Sequence, residues 1–425
     1  MSASAGGQVA ANLSEIGLQT DLISPKLSVS TQAAAGWCRP PKKMKKVLFL
    51  TPIVHAAKSS GGLHVTLERL SSLANGADVT VLTLSVDKEA RDLYQNVEWV
   101  TGGSLRPKSL LNLIYSYSAG LPLSVWRNTT PELVDNAKSL STKTFDVAYI
   151  DHWLMAEAGL ACASKHKVLH LHNAEPEIFA RAAINASLLT RIVLNLESRR
   201  CATYLNRVVQ FVDELHLLSE DDKKCLSMKN IHHKLTRIFM PAIDYVQPNT
   251  TSFAEREYST LFIGTLSWHA NQEGLHWYAR KVLPLLPKGI KFDLIGGGAS
   301  QSLSSEYNPH SNVTMHGYVN EVESFYSKAR CLVAPLLSGS GIKIKILHAL
   351  SRGLPIVTTK IGIEGFPPGY EKAILVSDNP IEFAENVATL LENENLWLEA
   401  SLAARQYCKQ HFSGEEWQSW VQNQL

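Results

Sequence analysis

The sequence predicts an α/β protein built from two Rossmann-like domains, and two observations lead to this prediction. From Met44 onward, short apolar runs of strand length alternate with amphipathic helical segments, which is typical of parallel sheets with crossover helices. A polar, turn-rich stretch at 241–255 separates two complete alternating patterns and is the best linker candidate. The length of 425 residues also favours two domains, because one hydrophobic core rarely supports so long a chain.

The predicted N-terminal domain spans 44–245 and the predicted C-terminal domain spans 250–410. The strands expected in the first are 46–52, 78–84, 145–150, 167–172, 213–218 and 235–240, with helices at 64–75, 130–140 and 188–209. The strands expected in the second are 259–266, 290–295, 313–318, 330–335, 354–359 and 373–376, with helices at 273–283, 342–351 and 380–392. Because both sheets are parallel, their carboxyl ends are expected to face one cleft.

Residues 1–43 differ in composition from the rest of the chain. They are rich in Ala, Ser, Gly and Gln, show no sustained periodicity, and lack the continuous apolar segment of a secretory signal. We expect a disordered extension, with Met44 as the start of the first domain. Two alternatives for residues 1–43 stay open: the start codon is assigned too far upstream, or these residues form an arm that docks on the domain.

Charge and cysteine usage exclude several classes of function. The net charge is only +2, from 41 basic and 39 acidic residues, which argues against nucleic acid as the main partner. No apolar run approaches the roughly 20 residues that cross a bilayer. The six cysteines are scattered without a C-x-x-C pair, as in a reducing compartment, so a soluble cytoplasmic protein is expected.

The most informative segment is 334–359, where a strand enters a Gly/Ser loop and a helix is predicted to start near Gly341. Such a loop offers unpaired backbone N–H groups and the positive end of a helix dipole to an anion. Lys343 and Lys345 lie in the predicted first turn, where cations oppose the dipole, so an anionic ligand is expected. Two helical residues at this spacing point about 200° apart, so both lysines are not expected to reach one atom. The alternative is that they are solvated first-turn residues.

Residues 339–350 read GSGIKIKILHAL and resemble the donor-binding motif of GT-B glycosyltransferases of family 4, in a subgroup with the pattern GSGIKxKxLEAL. The resemblance extends over nearly the whole chain from Met44. Further matching pieces are FIGTLSWHANQEG at 262–274, LIGGG at 294–298, TKIGIEG at 359–365, LSEDD at 218–222 and PAID at 241–244. No single piece is specific, but their order and spacing together are.

This resemblance implies the GT-B fold, in which two Rossmann-like domains face each other across a cleft. It implies sugar transfer with retained configuration from a nucleotide-diphosphate sugar to a glycan, a lipid-linked or another acceptor, without a cofactor. It also implies that a last helix, 411–425, crosses back to the N-terminal domain. The residues that it assigns to donor binding are Gly264, Gly339, Ser340, Gly341, Ile342, Lys343, Lys345, His348 and Glu364.

Two departures from the family pattern bear on activity. Family 4 enzymes commonly carry two glutamates eight positions apart, and here these positions hold Ser340 and His348. The Arg and Lys that often follow the first C-terminal-domain strand are missing from 265–271. These losses leave open a second hypothesis, a catalytically inactive subunit that binds and stabilises a glycosyltransferase partner. A GT-B phosphorylase is disfavoured because it would have a much longer chain.

On the N-terminal side, the resemblance points to a histidine and to a glycine pair. His172 matches a histidine that contacts the donor sugar near its reacting carbon, although a structural histidine is an equal alternative. Gly61 and Gly62 follow the first strand, where lack of a Cβ lets acceptor or phosphate approach the backbone. Asn173 and Glu175 continue the His172 loop into the expected cleft.

A metal site is the minor hypothesis for this region. His170 and His172 share one face of a strand, as two zinc ligands would, but no third ligand stands at a suggestive spacing. Asp151 and His152 are a weaker candidate for proton transfer. The sequence contains no Asp-x-Asp, the motif with which GT-A enzymes hold a divalent ion, so metal-independent donor binding is expected.

The segment 109–115 is apolar and follows Arg106 and Lys108. It is a candidate for a membrane-surface helix that reaches a lipid-linked acceptor, with the protein peripheral at the inner face of the membrane. A helix packed partly on the core is the preferred interpretation.

Overall fold

The computed structural model describes residues 44–56, 61–184, 186–243 and 251–425. The extension over 1–43 and most of the predicted linker, 244–250, lie outside the described residues. Within them, the chain forms two large parallel β-sheets with flanking helices and a small two-stranded sheet.

The first large sheet has seven parallel strands in the spatial order β5-β3-β1-β6-β7-β8-β9. The strands of this half are β1 (Lys46–Leu50), β2 (Ile53–Val54), β3 (Asp78–Thr83), β4 (Ser85–Val86), β5 (Glu98–Thr101), β6 (Phe145–Ile150), β7 (Ser164–Leu171), β8 (Glu214–Leu217) and β9 (Thr236–Ile238). β2 and β4 form the small sheet. The sequence missed β5 because this edge strand has only four residues, none of them buried.

The helices of the first half connect its strands as crossovers. They are α1 (Gly61–Ala74), α2 (Lys88–Leu93), α3 (Leu110–Ser118), α4 (Leu123–Asn128), α5 (Pro131–Leu140), α6 (Ala156–Ala161), α7 (Glu175–Ile184), α8 (Leu188–Val208) and α9 (Glu220–Met228). α5 and α8 match their predicted positions. α5 starts where Thr130 accepts a hydrogen bond from the Leu133 amide and Pro131 takes the first helical position.

The second sheet has six parallel strands in the order β12-β11-β10-β13-β14-β15. They are β10 (Ser259–Ile263), β11 (Lys291–Ile295), β12 (Val313–Gly317), β13 (Cys331–Ala334), β14 (Ile356–Thr358) and β15 (Ile374–Val376). The helices are α10 (His269–Trp277), α11 (Gln301–Tyr307), α12 (Glu323–Lys328), α13 (Ile344–Ser351), α14 (Pro380–Glu392), α15 (Glu394–His411) and α16 (Glu415–Gln424).

Two helix predictions in this half are wrong in detail. The helix predicted at 273–283 begins earlier, at His269, and its second half is a π-helical turn over Tyr278–Val282. The helix predicted to start near Gly341 begins at Ile344, because the glycine backbone before it turns through positive φ.

Both sheets are covered on two faces, so their central strands are apolar throughout rather than alternating. In β1, residues Val47, Leu48, Phe49 and Leu50 are all fully buried. α16 packs on the first sheet, where Trp417 and Trp420 join the cluster of Val47 and Phe239. The Trp420 indole N–H also donates to Glu214 Oε2 at 3.0 Å. The paired Rossmann-like sheets confirm the predicted GT-B fold class.

Candidate active site

The candidate site lies where the carboxyl ends of strands from both sheets meet. On the first sheet, Asp151 directly follows β6 and His172 directly follows β7. On the second sheet, Gly264 directly follows β10, and the loop 335–343 runs from β13 to α13. This is the edge at which open α/β sheets bind ligands.

The loop before α13 depends on two glycines with left-handed backbone. Gly339 has φ +114° and Gly341 has φ +72°. A Cβ built on Gly341 would lie 2.2 Å from Asn173 Oδ1, so a side chain there would collide with the opposite half. With its amide turned to donate, Asn173 bonds the His172 carbonyl at 3.0 Å and the Ser340 carbonyl at 3.3 Å. The loop and the His172 segment therefore touch directly.

Lys343 and Lys345 do not share the first helical turn that the sequence predicted for them. Lys343 is the N-cap of α13 with φ −91° and ψ 97°, so the helical 200° separation does not apply to it. Its Nζ donates to the Gly341 carbonyl. Lys345 Nζ donates to Asn271 Oδ1 at 2.7 Å and stands 4.2 Å from the centre of the Phe262 ring. A Cβ on Gly264 would come within 3.0 Å of this Nζ, so Gly264 leaves room for the ammonium group.

Burial disfavours the protonated form of both lysine side chains. Desolvation lowers the pKa of Lys343 to about 8, although Glu364 and Asp222 partly compensate it. Burial, together with the neighbouring charge of Lys343, lowers the pKa of Lys345 to about 7. Both lysines lie at the start of α13, where a bound anion would stabilise their charged forms. The geometry therefore fits a diphosphate.

Three polar side chains of the first half form a buried cluster beneath His172. Asp151 Oδ1 lies 3.1 Å from His170 Nδ1 and 3.3 Å from His172 Nε2. Thr66 of α1 donates to Asp151 Oδ2 at 2.6 Å. The other ring nitrogen of His172, Nδ1, faces Gly62, at 3.6 Å from a Cβ built there. The cluster thus sets the orientation of the His172 ring toward the glycine pair.

The structure brings a third possible metal ligand, Asp151, beside the two histidines, although no spacing in the sequence indicates it. Ligand atoms of Asp151, His170 and His172 all lie within 4.8 Å of one another. Strand register explains this, because β6 and β7 are neighbours and Asp151 follows the end of one beside the end of the other. Asp151 Oδ1 is within hydrogen-bond distance of His170 and His172, and Asp151 Oδ2 accepts from Thr66, whereas the buried His170 Nε2 has no hydrogen-bond partner.

The ionisation of this cluster follows from burial and pairing. Burial opposes ionisation of Asp151, but the imidazoles of His172 and His170 outweigh it and hold the pKa of this carboxyl below its usual range. Desolvation lowers the pKa of His170 well below its ordinary value and lowers that of His152 to about 3. Burial raises the pKa of Glu175 to about 7. Glu175 opens α7, and its Oε1 lies 3.9 Å from His152 Nε2.

An ion pair spans the two halves beside the loop. Arg181 of α7 reaches both oxygens of Glu364 at 2.6 and 2.7 Å and also donates to the Gly339 carbonyl at 3.0 Å. Glu364, predicted to bind donor, is therefore engaged with protein in this structure. The sequence analysis missed Arg181. The available signal in the sequence was the spacing of four residues between Glu177 and Arg181, which allows an ion pair along one helix face. The two side chains do pair, at 3.1 Å.

The segment 218–222 also touches the second half. Asp221 Oδ2 accepts a hydrogen bond from the Gly365 amide at 2.9 Å, and Asp222 Oδ1 accepts one from the Ala174 amide at 3.0 Å. Asp222 is buried, which raises its pKa to about 6. Ile342 lies close by, since a Cβ on Gly365 would come 2.9 Å from its Cγ1.

His348 lies on α13 and faces the first half of the chain. Its ring stands edge-on to that of His64 at 5.4 Å between centroids, and its carbonyl accepts from Arg352 at 3.0 Å. Burial and the nearby His64 lower the pKa of His348 to about 3, so its imidazole is neutral. A neutral imidazole keeps one donor and one acceptor for hydroxyl groups.

Parts of the chain are similar in sequence to known proteins. Residues 257–393 match the family described as glycosyl transferases group 1. An uncharacterized 44.6 kDa protein from the cps region of Klebsiella pneumoniae is 23% identical over 268 residues. That alignment covers 60% of this chain and 66% of the Klebsiella protein, slightly less than two thirds of its length.

Solved structures of similar fold cover nearly the whole chain. HepE from Anabaena, crystallised with UDP-glucose, has a TM-score of 0.63 at 14% identity, covering 89% of this chain and 98% of HepE. Sucrose-phosphate synthase from Thermosynechococcus elongatus has a TM-score of 0.67 at 14% identity, with coverages of 89% and 98%. WaaG, a glycosyltransferase involved in lipopolysaccharide biosynthesis, has a TM-score of 0.60 at 16% identity, with coverages of 88% and 99%. At these identities the likeness shows a shared GT-B fold.

Proposed function

We propose that the protein is a retaining, metal-independent glycosyltransferase. It moves a sugar from a nucleotide-diphosphate sugar to a saccharide or lipid-linked acceptor. The observation that carries the proposal is the partly buried lysines Lys343 and Lys345 at the start of α13, whose preceding loop contacts the segment of His172. The match of residues 257–393 to glycosyl transferases group 1 supports the same activity. Retention rests on the resemblance of the 339–350 motif to family 4.

The proposed roles follow from charge. Negative charge develops on the diphosphate as its bond to the sugar breaks, and the α13 start with Lys343 and Lys345 offers fixed positive charge to stabilise it. Gly264 and Gly341 allow the backbone of both loops to approach this group. His172 contacts the sugar near its reacting carbon, held in place by Asp151. His348 hydrogen-bonds the ribose in place of the usual glutamate.

The acceptor approaches from the side of Gly61 and Gly62, beside His172. Asn173 and Glu175 line the same side, and Glu175 with its raised pKa can hold a proton near neutral pH. We propose a cytoplasmic location, supported by the free thiols of the described cysteines Cys162, Cys201, Cys225, Cys331 and Cys408.

Calorimetry with UDP, GDP, ADP and their sugar conjugates tests the proposal. UDP and UDP-glucose come first, since UDP-glucose is the ligand found in HepE. We expect one nucleoside diphosphate to bind, and its sugar conjugate to release that diphosphate in the presence of an acceptor. Failure of every nucleotide to bind would refute the proposal. Tight binding without any turnover would instead support the inactive-subunit hypothesis.

A further inference from the structure

Among the residues that the structure describes, one group brings three metal-ligand side chains together: Asp151, His170 and His172. Asp151 Oδ1 lies 3.1 Å from His170 Nδ1 and 3.3 Å from His172 Nε2. Ligand atoms bound about 2.0 Å from a tetrahedral zinc ion lie about 3.3 Å from one another. Both measured separations are therefore close to those expected around a zinc ion.

The chemistry of this group selects among metal ions. Two imidazoles and one carboxylate suit zinc, whereas magnesium and calcium prefer oxygen ligands. Thr66 donates a hydrogen bond to the other carboxylate oxygen, Asp151 Oδ2, at 2.6 Å. A hydrogen bond of this kind orients the carboxylate of a metal ligand. Three protein ligands leave the fourth position of a zinc ion to a water molecule.

Burial leaves one side from which an ion reaches this group. Asp151 and His170 are fully buried, and only His172 has exposed surface, at 6%. His172 Nδ1 faces Gly62, at 3.6 Å from a Cβ built there, so the exposed member of the group lies beside the glycine pair of the cleft. An ion in the cleft therefore meets His172 first.

Zinc binding requires a change of tautomer but no loss of a proton. Each neutral imidazole carries one proton, and to ligate zinc it must hold this proton on the opposite ring nitrogen. On His170 the proton moves to Nε2, a buried atom that has no hydrogen-bond partner, so the transfer breaks no hydrogen bond there. Zinc gives up bound water in exchange, and the protons stay on the protein.

We propose that Asp151, His170 and His172 form an inhibitory zinc site. When His172 donates from Nε2 to Asp151, its Nδ1 is a hydrogen-bond acceptor on the side of Gly62. When zinc occupies Nε2, Nδ1 carries the proton and becomes a donor. The inhibition rests on the proposed function, in which His172 contacts the donor sugar, whereas the binding of zinc does not.

Zinc titration of the full chain tests the site. After treatment with a chelator and removal of that chelator, the protein should bind one zinc ion per chain with sub-micromolar affinity, measured by competition with a chromophoric chelator. Co²⁺ should give the visible absorption bands of a tetrahedral site, and Mg²⁺ should not compete. His170→Phe removes one ligand but keeps a ring beside Tyr149, and it should weaken zinc binding by more than about a hundredfold.

Matched controls come from two other histidines. His276→Phe and His316→Phe each change a histidine that pairs with one carboxylate, Glu306 or Asp293, and both should bind zinc as wild type does. Thr66→Val keeps all three ligands and removes only the hydrogen bond to Asp151, so it should weaken zinc binding by roughly tenfold. This milder variant keeps the test decisive if His170→Phe does not fold.

Turnover tests the inhibitory role. Zinc should lower the turnover of the wild-type protein with donor and acceptor present, and a chelator should restore it. Absence of zinc binding in wild type, or equal binding in wild type, His170→Phe and Thr66→Val, overturns the site. Bound zinc that leaves turnover unchanged or raises it overturns the inhibition. The zinc stoichiometry requires no turnover, so failure of the site and failure of the proposed activity are distinguishable.

Discussion

Arg181 and Glu364 form a bidentate ion pair that joins α7 of the first half to the segment after β14 of the second, at 2.6 and 2.7 Å. Both side chains are mostly buried, and Arg181 also donates to the Gly339 carbonyl of the loop 335–343. The pairing with Glu364 raises the pKa of Arg181 above its ordinary value. The pair therefore couples the approach of the two halves to the shape of the loop.

We expect this pair to favour the closed cleft. E364Q and R181Q should each enlarge the radius of gyration measured by small-angle X-ray scattering, since a bidentate side-chain link between the halves is lost. The coupling energy from a double-mutant cycle on unfolding should be about 1 kcal/mol, the scale of partly exposed pairs. K372Q/E399Q, an exposed pair within the second half, is the control. Unchanged scattering in all variants would contradict a closing role.

The lysine pair should bind the phosphates and not the nucleoside. Lys343→Ala and Lys345→Ala should each weaken nucleoside-diphosphate binding by about 1.5–3 kcal/mol, the range for a hydrogen bond to a charged group. Binding of the plain nucleoside should hardly change. Calorimetry with both ligands measures the difference. If neither variant discriminates between the ligands, α13 is not the phosphate site.

The same lysines predict proton uptake on binding. Burial lowers the pKa of Lys345 to about 7 and that of Lys343 to about 8, so both are partly neutral in slightly alkaline solution. A bound diphosphate raises both values, so near pH 8 binding should take up about one proton, and near pH 6 almost none. Calorimetry in buffers of different ionisation enthalpy measures this number. Lys345→Ala should reduce the uptake, and uptake that is independent of pH would contradict the assignment.

His348 should hydrogen-bond the ribose of the nucleotide, because its neutral imidazole faces the cleft at His64. His348→Ala should weaken nucleotide and nucleoside binding by the same factor, opposite to the lysine variants. His348→Glu introduces the residue that the glycosyltransferases resembled by the 339–350 motif usually carry, and it should bind at least as well as wild type. A loss confined to the diphosphate would place His348 at the phosphates instead.

Asp151 should position His172 without touching substrate. Asp151→Asn weakens the acceptor that both histidines share, so kcat should fall while donor affinity stays close to wild type. Thr66→Val removes only the hydrogen bond to the other carboxylate oxygen and serves as the milder control. A histidine NMR titration should show altered His172 chemical shifts in Asp151→Asn. Unchanged shifts and an unchanged kcat would leave Asp151 as a purely structural group.

Donor binding should not require a divalent ion. EDTA should leave the affinity for the nucleoside diphosphate nearly unchanged, because Lys343 and Lys345 supply the positive charge. Elemental analysis of the purified protein would test the Asp151–His170–His172 cluster directly. Stoichiometric zinc, with donor binding or turnover lost on its removal, would contradict the metal-independent proposal.

The sequence by itself determined the local architecture. The alternation of apolar strands and amphipathic helices predicted twelve strands of the two large sheets and missed only β5, whose short edge strand buries too little to show a pattern. It also predicted the Gly/Ser loop before α13, since glycines at positive φ and a helix start are encoded within a few neighbouring residues.

Only the tertiary structure decided which residues meet. Asp151 joins His170 and His172 because β6 and β7 pair in parallel register, and Arg181 meets Glu364 across 183 positions of the chain. The backbone conformation of Lys343 depends on a helix that begins at Ile344, two residues later than the predicted 342. The exposure of Leu110 on α3 and of Leu188 on α8 likewise follows from which helices pack on which. The periodicity of a segment predicts which of its side chains are buried. Which residue each of those side chains contacts depends on packing between segments that are distant in the sequence.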